Sequence, residues 1–123
     1  MKTTTMVAQM SVRLLGVILI VLGLLFWGGY ALGLVNVHMG IGLLFVIALW
    51  TLCGVAIKAH VSGGFVALGV VWGLVVLGLG MSQTTLMVGS GHWVIRVLHL
   101  LLGLGAMGIG ESLAKRVKGA TVS

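Results

Sequence analysis

Four long apolar runs, separated only by short breaks, constrain the fold of this chain more than any other feature. A helix needs about 20 mostly apolar residues to cross a bilayer, and each run supplies them. The pattern predicts helices over approximately 11–33, 37–58, 64–82 and 92–114. Because connections this short make consecutive helices antiparallel neighbours, the sequence predicts an all-α protein, an integral membrane up-down four-helix bundle. Residues 1–123 then form a single transmembrane domain.

Composition indicates the same class and excludes a soluble globular protein. Hydrophobic residues make up 60% of the chain and charged residues only 7%, whereas soluble domains carry about 25% charged residues. The first apolar run is longer than the core of a cleaved signal peptide, about 7–15 residues, so we expect a retained helix. Gly16 and Gly23 on helix 1 are seven residues apart, as are Gly73 and Gly80 on helix 3, a spacing that favours close helix contact.

The basic residues indicate the orientation of the bundle. Six of the seven Lys and Arg residues flank the apolar runs on what the predicted topology makes one side of the membrane: Lys2, Arg13, Lys58, Lys115, Arg116 and Lys118. The positive-inside rule therefore predicts that both termini are cytoplasmic, and we expect a bacterial cytoplasmic (inner) membrane protein. Since topology accounts for the net charge of +6, no nucleic-acid partner is expected.

Polar residues gather where helices 2 and 4 begin. His38 opens helix 2, and on helix 4 the stretch "GHWVIRVLHLLLG" carries His92, Arg96 and His99. At about 100° per residue the three helix 4 side chains share one face, with His99 about 10 Å deeper than His92. Placing polar groups at such a depth in hydrocarbon costs free energy, and residues of this kind are usually functional. These residues are therefore the candidate site.

Small residues continue the same two faces into the bundle. Gly42 lies one turn below His38, and Gly103 lies one turn below His99. Imidazoles over glycines on two parallel helices suit a flat macrocycle, because haem iron takes axial nitrogens from opposite sides and small residues leave room for the porphyrin. Depth alone leaves open whether His99 or His92 opposes His38, and we favour His99 because it lies further inside the bundle.

This placement, with His38 on helix 2 and His92 and His99 on helix 4, resembles the four-helix haem-binding core of bacterial membrane b-type cytochromes. Around "HWVIRVLH" the chain also looks like short uncharacterised bacterial four-helix membrane proteins. The first resemblance implies one haem b held by two histidines near the outer face, a role in electron transfer, and a quinone or a redox protein as partner. Arg96 would pair with a haem propionate. His60 stands alone at the inner end, so a second haem is not expected.

Two alternatives stay open at this point. His38, His92 and His99 would hold copper or zinc if helices 2 and 4 were in direct contact. The other alternative is a cofactor-free accessory subunit of a larger membrane complex, and a homodimer is compatible with either. The sequence offers no nucleophile–base pair, phosphate loop or acid/base dyad, so the chain is not predicted to be an enzyme by itself.

Several other residues have a structural interpretation. Glu111, the only acid, lies four residues before Lys115, the favoured spacing for an ion pair along one helix. Asn36 and Ser90 are predicted to cap the N-termini of helices 2 and 4. Packing roles are predicted for Trp50, Cys53 and Trp72.

Overall fold

A computed structural model describes residues 1–83 and 89–122 of the chain. Within them the backbone forms four α-helices joined by turns, with no strand. The elements are α1 (Lys2–Trp27), a short 3-10 helix (Leu32–Leu34), α2 (Val35–Lys58), α3 (Gly63–Ser82) and α4 (His92–Val122). All four α-helices are long and apolar enough to cross a membrane. The predicted all-α, four-helix class is confirmed.

The first helix differs from the predicted range 11–33 at both ends. It begins nine residues earlier, because Thr5 and Gln9 are buried against the rest of the bundle despite being polar. It ends at Trp27, where Gly29 adopts a φ of 83° and Ala31 a φ of 55°. Such left-handed conformations reverse the chain, and glycine adopts them at little cost.

The other boundaries differ less. α2 begins at Val35, so Asn36 lies inside the first turn and the N-cap is Leu34, without a side-chain hydrogen bond. The predicted cap at Asn36 is therefore wrong. α4 continues beyond 114, because Val117 is still buried in the core.

Helices α2 and α4 occupy the short diagonal of the bundle. Each contacts the other and also both α1 and α3, whereas α1 and α3 do not touch in the part of the chain that the structure describes. The most deeply buried side chains accordingly come largely from these two helices, among them Leu49, Leu52, Ala106, Leu113 and Ala114. A residue on the inner stripe of α2 or α4 therefore lies near the centre of the molecule.

Several glycines are contacted closely by large side chains of neighbouring helices, which fill the space that a Cβ would occupy; we call such a glycine the seat of that side chain. A Cβ built on Gly105 would lie 2.7 Å from Cζ2 of Trp72, and one on Gly73 would lie 2.6 Å from Nε1 of Trp50. The indole of Trp72 also donates a 2.8 Å hydrogen bond to the carbonyl of Leu102. Both tryptophans thus hold helices together, which confirms their predicted packing role, and the seats explain why small residues recur along the helices.

Polar side chains form a network at one end of the bundle, where α1 begins and α2 and α4 end; we call this the charged end. Glu111 accepts hydrogen bonds from both Nε and Nη2 of Arg13, the second at 2.9 Å, and a further one from Gln9 at 2.8 Å. The predicted pairing of Glu111 with Lys115 is therefore wrong. The carboxylate instead joins α4 to α1, because Arg13 reaches it with two donors.

Candidate histidine site

The opposite end of the bundle brings together a histidine from α2 and a histidine from α4. The ring centroids of His38 and His99 are 6.4 Å apart, and the ring planes are inclined by 56°. Both side chains are half-buried. Of the two partners that the sequence left open for His38, the tertiary structure therefore places His99 opposite it.

The other two helices complete the surroundings of this pair. His38 makes an edge contact with Phe26 of α1, at 5.4 Å between ring centroids, and its Cε1 lies 3.8 Å from a Cβ built on Gly23. On the far side, Cε1 of His99 lies 3.1 Å from a Cβ built on Gly80 of α3. We call these five residues, one or two from each helix, the histidine layer.

One nitrogen of each ring has no hydrogen-bond partner among residues 1–83 and 89–122. The Nδ1 atoms of His38 and His99 are both buried and unbonded. Nearly all buried polar atoms in proteins are hydrogen-bonded, and leaving one unsatisfied costs about 1–3 kcal/mol. Two such atoms in neighbouring imidazoles make this pair the candidate site.

The glycines predicted to leave room below the histidines do border open space. A Cβ built on Gly42 or on Gly103 would meet no atom within 4 Å. Both residues are half-buried. No side chain that the structure describes packs on either of these two glycines.

Arg96 lies three residues before His99 and is half-buried. The only acidic residue of the chain is Glu111, about 22 Å further along the same helix, where it is bonded to Arg13. No carboxylate side chain of this molecule can therefore neutralise Arg96. A half-buried cation beside the histidine layer favours an anionic partner.

His92 and His60 do not join the histidine pair. His92 is the first residue of α4, and within residues 1–83 and 89–122 no three His, Cys, Asp or Glu side chains come close enough together to hold a metal ion. His60 is exposed, follows the end of α2 with a φ of 59°, and lies at the charged end. The described site is therefore a two-histidine site.

His38 and His99 are the two side chains of the histidine layer that would hold a metal or a haem iron, since imidazole is a common ligand of both. To hold one metal, each ring would have to present a nitrogen to the space between them; Nε2 and Nδ1 of His99 lie 3.6 and 3.9 Å from a Cβ built on Gly80 of α3.

Phe26 was not among the residues predicted for the site, although it packs directly on His38. Its position could not be found from the sequence, because it depends on where α1 ends. Gly23 and Gly80 carried a signal, namely their spacing of seven residues from Gly16 and Gly73. That spacing predicted helix contact, and the structure shows that two of the contacts are made by the histidines themselves.

A comparison of the chain with protein-family models, curated proteins and solved structures finds no match. Fold and site therefore define the protein only as a four-helix bundle with membrane-span-like helices and a half-buried histidine pair.

Proposed function

We propose that the chain is a small membrane b-type cytochrome-like protein that binds one haem b through His38 and His99 and takes part in electron transfer. The observation that carries this proposal is the facing pair of half-buried imidazoles from α2 and α4, each with an unpartnered buried Nδ1. A haem held by two histidines supplies one-electron redox chemistry and leaves no open position at iron. This is why electron transfer suits the site better than catalysis on a small substrate.

The residues around the pair have distinct roles in this proposal. Gly23 and Gly80 leave room for the two rings against α1 and α3. Gly42 and Gly103 leave room for the macrocycle. Arg96 balances the charge of a propionate. His92, at the start of α4, lies nearer the bundle end and contacts water or a propionate rather than the metal.

The proposed setting is a bacterial cytoplasmic membrane with both termini on the cytoplasmic side. It is supported by the placement of six of the seven basic residues at the charged end and by the positive-inside rule. The histidine layer then lies near the outer face. The proposed partners are the lipid bilayer and a quinone or a redox protein, and the chain acts as a homodimer or as a subunit of a larger complex.

The test is the absorption spectrum of the detergent-purified protein, oxidised and reduced, after expression with added haem precursor. We expect a Soret band in the wild type, its near-complete loss in His38→Ala and His99→Ala, and its retention in His60→Ala and His92→Ala. Circular dichroism and the elution volume establish that each variant is folded. A colourless wild type would refute haem binding, and a band that survives in folded His99→Ala would refute the assigned ligand pair.

A copper or zinc site is the second candidate, and the direct contact between α2 and α4 favours a ligand smaller than haem. Metal analysis of the same preparation distinguishes the two: iron with a Soret band supports haem, and copper or zinc alone supports the second candidate. A preparation with neither, which co-purifies with other membrane subunits in mild detergent, would indicate a cofactor-free accessory subunit.

A further inference from the structure

The charged end contains a cavity that the proposed haem site does not use. It has a volume of about 320 Å³ and opens between α1 and α4. Five residues with polar side chains border it: Gln9, Glu111, Ser112, Lys115 and Lys118. An opening of this kind at the end of membrane-span-like helices lies at the level where lipid headgroups are found.

The single carboxylate in the lining is already engaged. Arg13 donates to both oxygens of Glu111, and Gln9 donates to one of them at 2.8 Å. The amide oxygen of Gln9 in turn accepts a hydrogen bond from Nζ of Lys118, so the network holds Lys118 at the cavity. The hydrogen bonds of Glu111 thus go to Arg13 and Gln9 and not to Lys115.

The remaining charge of the cavity is positive. Lys115 is exposed, and it has neither a hydrogen bond nor an ion pair to any residue that the structure describes. The lining residues Lys115, Lys118 and Glu111 together carry a net charge of +1. Ser112 adds a hydroxyl, which can donate to an oxygen anion.

From this arrangement we infer that the cavity binds the phosphate-bearing headgroup of an anionic phospholipid. Basic pockets between membrane helices at the headgroup level bind such lipids, and each lysine near an anionic headgroup contributes measurably to affinity. Lys115 pairs with the phosphate, and Ser112 donates to one of its oxygens. The acyl chains follow the apolar outer surface of α1, where Leu14 and Val17 are exposed.

Native mass spectrometry of the detergent-solubilised protein, titrated with phosphatidylglycerol or with phosphatidylcholine of the same acyl chains, tests this site. We expect one phosphatidylglycerol to be retained in preference to phosphatidylcholine. Lys115→Gln should weaken its binding about fivefold, the contribution of one lysine near an anionic surface. Lys58→Gln is the matched control, because Lys58 ends α2 at the same end of the bundle but does not line the cavity.

Equal retention of the two lipids would overturn the inference, and so would an equal loss of binding in the two lysine variants. Displacement of the lipid by excess inorganic phosphate would identify a free anion as the ligand and overturn the lipid assignment. The elution volume and circular dichroism of Lys115→Gln establish that it is folded. Because no residue of the histidine layer is changed, the result is independent of whether haem binds.

Discussion

Replacing Gly105 by alanine places a methyl group where the indole of Trp72 already lies. The new Cβ would be 2.7 Å from Cζ2 and 3.1 Å from Cε2 of the ring, closer than carbon atoms approach without strain. The indole cannot swing away freely, because its Nε1 donates a 2.8 Å hydrogen bond to the carbonyl of Leu102. The substitution therefore has to separate α3 from α4 or break that bond.

The change in the free energy of unfolding follows from two costs and one gain. Overpacking a well-packed contact costs about 1–3 kcal/mol. Loss of the indole hydrogen bond costs about 0.6 kcal/mol, the average for such bonds inside membrane proteins. Alanine is favoured over glycine within a helix by about 0.5–1 kcal/mol. The clash outweighs the gain in helix preference, so we expect Gly105→Ala to lower the free energy of unfolding by about 1–3 kcal/mol.

Gly108→Ala, three residues further along α4, is the matched control. A Cβ built on Gly108 would meet no atom within 4 Å, so only the gain in helix preference remains and the variant should be as stable as the wild type or up to about 1 kcal/mol more stable. Reversible unfolding in mixed micelles of mild detergent and dodecyl sulfate, followed by tryptophan fluorescence, measures both variants. If Gly105→Ala proves no less stable than Gly108→Ala, the inferred seat of Trp72 is wrong.

Three further substitutions test the site and the charged end. In Gly80→Ala the new Cβ would lie 3.1 Å from the imidazole of His99, so this variant should retain less haem than the wild type. Gly78→Ala is the control, because its Cβ would meet no atom within 4 Å and haem retention should be unchanged. Equal haem content in the two purified variants would contradict the inferred contact between Gly80 and His99. Glu111→Gln should lower the free energy of unfolding by about 1 kcal/mol or less, because the ion pair of Glu111 with Arg13 is partly exposed and such pairs are weak. Thermal unfolding in detergent measures this change. An unchanged melting temperature would show that the network around Glu111 adds no stability. Arg96→Gln should lower the midpoint potential of the bound haem in a redox titration, because a nearby cation favours the reduced, less positive iron; a raised potential would contradict this placement of the charge.

The helices were predictable from the sequence, but the partners of their polar residues were not. The range 37–58 came within two residues of the observed α2, because an apolar run of that length with few charges has no soluble alternative. Glu111 was assigned to Lys115 because the i,i+4 rule considers one helix only. The observed partner, Arg13, lies 98 residues away in sequence, and it meets Glu111 only because α1 packs against α4.

By itself, the sequence determined that this chain forms four membrane-span-like helices and that polar residues gather at the start of the second and the fourth. Hydrophobicity and chain connectivity are local properties, so they can be read along the chain. Only the tertiary structure decided that His38 opposes His99, that Gly23 and Gly80 seat the two rings, and that Glu111 bridges to α1. These contacts depend on the rotation and depth of each helix relative to its neighbours, which close packing over the whole interface sets and no single helix encodes.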